Sequence, residues 1–162
     1  MGHKDGAVEE SVDEITDALL TASRLLVALS VRSIAHVDES ITVPQFRTLM
    51  ILSTRGPSKI VNLAHMLDVQ PSTATRMVDR LVGVGLVDRR PNPESRRELI
   101  IALTPRGRAV VDAVIVRRRS EIAAVVERMP ARDRTGLVEA LTAFSAAGGE
   151  ANAVGDIEGY QL

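Results

Sequence analysis

From Ser11 onward, apolar residues recur at Val12, Ile15, Leu19, Ala22, Leu26 and Leu29, alternating three- and four-residue steps that mark one face of a helix. The stripe runs along a helix expected to continue to about His36, so any fold must supply something long to cover it. Hydrophobic residues make up 45% of the 162-residue chain but aromatics only 2%, so the core must be built from Leu, Val, Ile, Ala and Met, a palette that favours helices over a β-sandwich. The length suffices for one domain with a real core, or one domain plus an oligomerisation extension. No uninterrupted run of about 18 apolar residues occurs, so a spanning helix and a membrane partner are not expected. Residues 1–10 are polar and acidic, unlike a signal peptide, and a cytoplasmic location is expected.

The remaining chain alternates helix signals with turn signals. Thr42 and Gln45 bracket Pro44 in the pattern of a capping box, opening a helix to about Thr54 that Gly56 and Pro57 stop. A short helix covers about Ile60 to Leu67. Pro71 opens another to about Val84, ended by Gly83 and Gly85. Leu86–Arg90 and Glu98–Leu103 read as strands, and the two prolines and Asn92 between them favour an open connection over a tight two-residue turn. Thr104 and Pro105 start a long helix to about Met129; its ~25 residues span roughly 37 Å, more than a small domain needs. A last single helix is expected over about Arg132 to Ala147, with Leu137, Val138, Leu141 and Phe144 on one face. The tails, 1–10 and 150–162, read as flexible.

Two short helices joined by a tight turn, the second opening Pro71-Ser72-Thr73, form a helix-turn-helix pattern. Ala74, Met77, Val78 and Leu81 fall on its inner side, and Ala64 is small where the helices cross. Ser72, Thr73, Thr75, Arg76, Asp79 and Arg80 fall outside. Hydroxyls at a helix N-terminus suit phosphate, and Arg76 and Arg80 suit a guanine edge or the backbone. The bland alternative is a surface helix on which Asp79 pairs with Arg76 and Arg80. The hairpin adds Arg89, Arg90, Arg96 and Arg97 around one loop, the kind of arm a winged helix places in a flanking minor groove. Charge follows the same division: residues 72–119 hold 11 Arg against 5 acidic residues (+6), while the rest holds 9 basic against 16 acidic (−7).

The chain contains no cysteine and three isolated histidines, His3, His36 and His65, so thiol chemistry is excluded and no metal or other cofactor is expected. No nucleophile–base pair or Gly-rich phosphate loop stands out, and an enzyme is not expected.

The ordered combination Gln45-Phe46-Arg47-Thr48-Leu49, Gly56-Pro57, Leu63-Ala64, Pro71 through Leu81, Gly85 through Arg89, Pro93 through Arg97 and Leu103 through Arg108 resembles the MarR family of bacterial transcriptional regulators. The likeness covers about residues 11–147. It implies a mainly α fold with a small β-hairpin wing: a winged helix-turn-helix DNA-binding domain at 43–104 and a helical dimerisation region at 11–36 and 105–147. It further implies a homodimer on double-stranded DNA at a pseudo-palindromic operator, acting as a repressor relieved by a small aromatic or anionic effector. His36, Arg47, Phe46 and Met50 are the effector-contact candidates; the plain alternative makes Phe46 and Met50 core and His36 and Arg47 surface. The competing function is a winged-helix protein that acts through protein–protein interaction without specific DNA binding. Two positions depart from the family pattern. An Asp of the family's wing pairs with the second of the two Arg residues that follow it, and here that position is Ser95, which puts the structural role of Arg97 in question. Asp68 stands in the helix-turn-helix where Gly is usual, a position Asp tolerates in a left-handed conformation.

Overall fold

The computed structural model describes residues 10–149, with Arg96 described by its backbone alone. The expected flexible tails, apart from Glu10, lie outside the described residues. The chain divides after Glu121 into two compact units.

The first unit opens with α1 (Val12–Val37). Ser11 caps it: the Glu14 N–H donates to Ser11 Oγ (3.2 Å) and the Ser11 N–H donates to Glu14 Oε2 (2.9 Å). Contrary to the expectation from uninterrupted runs, α1 is long and apolar enough to cross a membrane by length and composition. Several of the residues that interrupt its apolar run are hydroxyl side chains folded back on the helix: Thr16 donates to Val12 O, Ser23 to Leu20 O, Ser30 to Leu26 O and Ser33 to Leu29 O. Satisfied in this way, they break the run without making the helix polar. Leu29, Ser33 and Ile34 are buried, whereas Val12, Ile15, Leu25, Leu26, Val27 and Val31 are exposed.

The capping box at Thr42 and Gln45 forms as expected and starts α2 (Val43–Arg55), which ends at Gly56 with φ +78°. α3 (Ile60–Leu67) ends at Asp68, which adopts the left-handed conformation anticipated for it (φ 56°, ψ 48°). The Asp68 and Val69 N–H groups donate to His65 O and Ala64 O, closing the helix end. α4 (Pro71–Gly83) follows, with Ala74, Val78 and Leu81 buried at one face. Its end repeats the device, Gly85 N–H to Val82 O and Leu86 N–H to Leu81 O, with Gly85 at φ +74°.

β1 (Val87–Asn92) and β2 (Ser95–Leu103) form an antiparallel hairpin. The open connection expected from the prolines is not what forms. The strands close around Pro93 and Glu94, with Asn92 paired to Ser95, and the register jumps so that residues 96–98 stand between the Pro91–Leu99 and Asn92–Ser95 pairs without partners on β1. Asn92 makes the tight turn feasible: its side-chain oxygen accepts the Glu94 N–H (3.0 Å), and the extra length is taken up by the bulge. Ser58 and Ile101 exchange both backbone hydrogen bonds (2.8 and 3.0 Å), which fastens the base of the hairpin to the entry of α3.

Thr104 then caps α5 (Pro105–Arg128), accepting the Gly107 N–H at 3.0 Å. The core gathers Leu49, Leu52, Leu63, Val78, Leu81, Leu86, Val87, Ile101, Val111 and Val114. Burying side chains of this size removes them from water at about 1.5–3 kcal/mol each.

In the second unit, α6 (Ala131–Arg134) and α7 (Leu137–Ala147) replace the single helix expected there. Thr135 is extended and Gly136 left-handed (φ +78°), a conformation glycine adopts at no steric cost, so the chain turns between them. Val138, Leu141 and Phe144 are exposed.

Candidate nucleic-acid interface

α4 presents two chemically distinct sides. Ala74, Val78 and Leu81 are buried; Ser72, Thr75, Arg76, Asp79 and Arg80 are exposed, with Thr73 half-buried. Met77 is half-buried and receives the Thr48 hydroxyl at its sulfur (2.8 Å), which locks α4 to α2. The inward and outward sets thus divide as the periodicity indicates.

The hydroxyls differ in what they can offer. Thr75 donates to Pro71 O (2.8 Å), so its proton is engaged within the helix and its lone pairs remain. Thr73 N–H already bonds Gln70 O (2.9 Å), and Pro71 has no N–H. The N-terminal donors available to an anion are therefore fewer than a helix start normally provides.

Asp79 does not pair with its helical neighbours. Arg89 reaches across from β1 to its carboxylate, while Arg90 pairs with Asp88 (2.9 Å). Among the described residues, Arg76 and Arg80 carry no ion pair. The sequence-level alternative placed Asp79 against them because all three lie within one turn; the hairpin partner is invisible in a local reading. Arg89 consequently holds strand and helix together as well as carrying charge, whereas the Arg90 pair stays within β1. Arg97 is exposed and without an ion pair among the described residues. The Arg96 side chain lies outside the description.

Glu98 was not among the sequence candidates. Its carboxylate meets Lys59 Nζ at 2.6 Å and the Asn92 side-chain amide at 3.3 Å. Hydrogen bonding from Lys59 holds the Glu98 carboxyl below its ordinary value, partial burial opposing it. Glu98 follows three residues after Ser95, in the bulge, and a fixed spacing rule does not reveal it.

α5 is fitted to the end of α4 through one turn. Thr104 Oγ1 donates to Gly85 O (2.7 Å), Thr104 N–H to Leu86 O (3.1 Å) and Arg106 Nη1 to Val84 O (2.9 Å). These bonds satisfy carbonyls that the helix end leaves open and fix the direction of α4.

The four effector candidates divide between core and surface. Phe46 is buried in the core and Met50 packs against it, while His36 and Arg47 are exposed. A cavity of about 360 Å³ lies among Ser40, Ile41, Thr42, Gln45, Arg80, Leu81, Gly83 and Val84. Among the described residues no group of His and acidic side chains is placed to hold a metal ion.

Residues 41–99 match the model of the MarR family. A crystal structure of RV1404 from Mycobacterium tuberculosis superposes with a TM-score of 0.80 at 66% identity, covering 90% of this chain and 99% of that one. The multiple antibiotic resistance protein MarR of Salmonella typhimurium is 38% identical over 72 residues, 44% of this chain and 50% of that protein. The HTH-type transcriptional repressor NicR of Pseudomonas putida is 38% identical over 78 residues, 48% of this chain and 49% of that protein. The chain thus spans about half the length of these curated relatives in the matched region.

Proposed function

The chain belongs to the MarR family of transcriptional regulators, and on that premise we propose that it binds a pseudo-palindromic DNA operator as a homodimer, through α4 and the hairpin, and represses the adjoining genes. The observation that carries this reading is the outer face of α4, where Arg76 and Arg80 are exposed and carry no ion pair among the described residues, Asp79 being taken by Arg89. A guanidinium without an acidic partner can give two parallel hydrogen bonds to a guanine edge. Ser72, Thr73 and Thr75 contact the flanking phosphates in this reading, and Arg89, Arg90, Arg96 and Arg97 serve the hairpin arm. Two-fold symmetry sets the half-sites about 10 base pairs apart.

The test is selection from a randomised duplex pool by the full chain, followed by titration of the enriched sequence. An inverted repeat should emerge, and Arg76→Ala should cost about 1–3 kcal/mol and relax discrimination at one position of each half-site. Failure to enrich any sequence would favour the protein–protein alternative.

Relief by a small aromatic or anionic effector belongs to the same proposal. His36 and Arg47 are exposed and available to an anion, but Phe46 must leave the core for a ligand to use it. A ligand acting there should therefore quench the α2–α4 packing, read as altered amide exchange at Thr48 and Met77.

A further inference from the structure

The hairpin is held to α3 at two levels. At its base, the Ser58 backbone pairs with Ile101. Near its tip, Lys59, the next residue in the chain, reaches Glu98 at 2.6 Å, and Glu98 in turn receives the buried Asn92 amide at 3.3 Å. Asn92 is only 8% exposed and its oxygen also accepts the Glu94 N–H, so it forms the turn and joins it to the carboxylate. Glu98 sits in the three-residue bulge that carries Arg96 and Arg97. Lys59 and Glu98 are each 45% exposed at the side chain, so the pair contributes little as a stabilising contact. Its consequence is geometric: it closes the bulge onto the helix-turn-helix.

We propose that Lys59, Glu98 and Asn92 form a tether that fixes the hairpin arm against α3, making Lys59 and Glu98 positioning residues for recognition of DNA flanking the α4 contact. The inference rests on reading the hairpin as a DNA-contacting wing. Ser95 offers no carboxylate inside the loop, and Glu98 supplies one that anchors outward to a different element. The tether also neutralises Glu98, which would otherwise place a bare negative charge beside Arg97 and the DNA backbone.

Opposite charge changes separate positioning from simple electrostatics. Lys59→Met removes a positive charge and Glu98→Met a negative one, yet both break the tether, since Met offers neither the ammonium donors nor the carboxylate acceptors. On the duplex enriched by the full chain, both variants should bind three- to tenfold more weakly and lose hydroxyl-radical protection in the outer flanks, with the protection over the α4 contact intact. The exchanged pair Lys59→Glu with Glu98→Lys should recover most of the loss. If charge alone acted, Glu98→Met would bind as tightly as the native chain or more so, with its flank protection unchanged, and the proposal would be overturned. A second arm needs no DNA: hydrogen exchange of the free protein should quicken over residues 91–98 in both single variants and not in α4. Unchanged exchange there would refute the tether even if the chain selected no DNA, whereas quickened exchange without selection would sustain the tether and count against the DNA reading.

Discussion

Gly107 has no room for a side chain. A Cβ placed there would stand 2.0 Å from the Leu86 carbonyl oxygen and 3.0 Å from its carbon, both backbone atoms that cannot swing aside. The close approach lets Thr104 and Arg106 reach the carbonyls at the end of α4. Gly107→Ala should therefore destabilise the fold by about 1–3 kcal/mol or more, as overpacking does, and weaken DNA binding by tilting α4. A urea midpoint equal to that of the native chain would show that the turn yields. The sequence displays Gly107 only as part of a motif, because the atom it must avoid belongs to a residue far back in the chain. Asp68 is easier to read: the family resemblance puts it where Gly is usual, and its short polar side chain tolerates the left-handed conformation it adopts. Asp79 shows the opposite case, since helical spacing offers Arg76 and Arg80 as partners and the folded chain supplies Arg89.

At the scale of elements, start signals were the most legible because they are local. Thr42 and Gln45 form the capping box their spacing announces, and Thr104 caps α5 through the Gly107 N–H. The α1 cap has a measurable pH signature. The Ser11 backbone N–H and hydroxyl both donate to the Glu14 carboxylate and hold its pKa below the ordinary 4.5. A depressed carboxyl pKa stabilises the fold above the unfolded value, and the contribution is lost as pH falls through the folded value. Carboxyl NMR should place the Glu14 midpoint below 4.5, and Ser11→Ala should return it toward that value. Equal midpoints in the two proteins would show that the backbone N–H alone sets the shift and the hydroxyl adds nothing. Stop and turn signals were less legible. Gly136 divides the last helical segment in two, and Asn92 closes the hairpin more tightly than its prolines indicate, because a side-chain acceptor and a bulge absorb what the proline geometry disfavours. The exposure of Ser72, Thr75, Arg76, Asp79 and Arg80 on α4 follows the periodicity, with Thr73 half-buried, whereas the Lys59–Glu98 contact depends on a register jump that no period encodes.

At the scale of the whole molecule, the question returns to what covers α1. Its apolar residues are exposed over most of its length, Val12 at 79% and Ile15 and Leu26 near 44%, and only Leu29 and Ile34 are buried among them. Length and composition alone would allow a bilayer to cover the helix. Arg24 stands near its middle, however, and an arginine at the centre of a spanning helix costs about 2.5–3.5 kcal/mol on insertion scales. Asp13, Glu14 and Asp17 add charge to its first turns. A second copy of the chain would cover the stripe formed by Val12, Ile15, Leu19, Ala22 and Leu26 while leaving Arg24 and Asp17, on the opposite face, in water. Burying the exposed Val, Ile and Leu side chains of this stripe on both partners, at up to about 1.5–3 kcal/mol each, works against an association cost of about 4–15 kcal/mol. Light scattering at micromolar concentration should give twice the 17.5 kDa chain mass, with no detergent required. Ile15→Arg combined with Leu26→Arg should shift the mass toward one chain while leaving the urea midpoint of the helix-turn-helix core nearly in place. A native chain that ran at a single chain mass, or that floated with lipid vesicles, would mean that something other than its own copy covers α1.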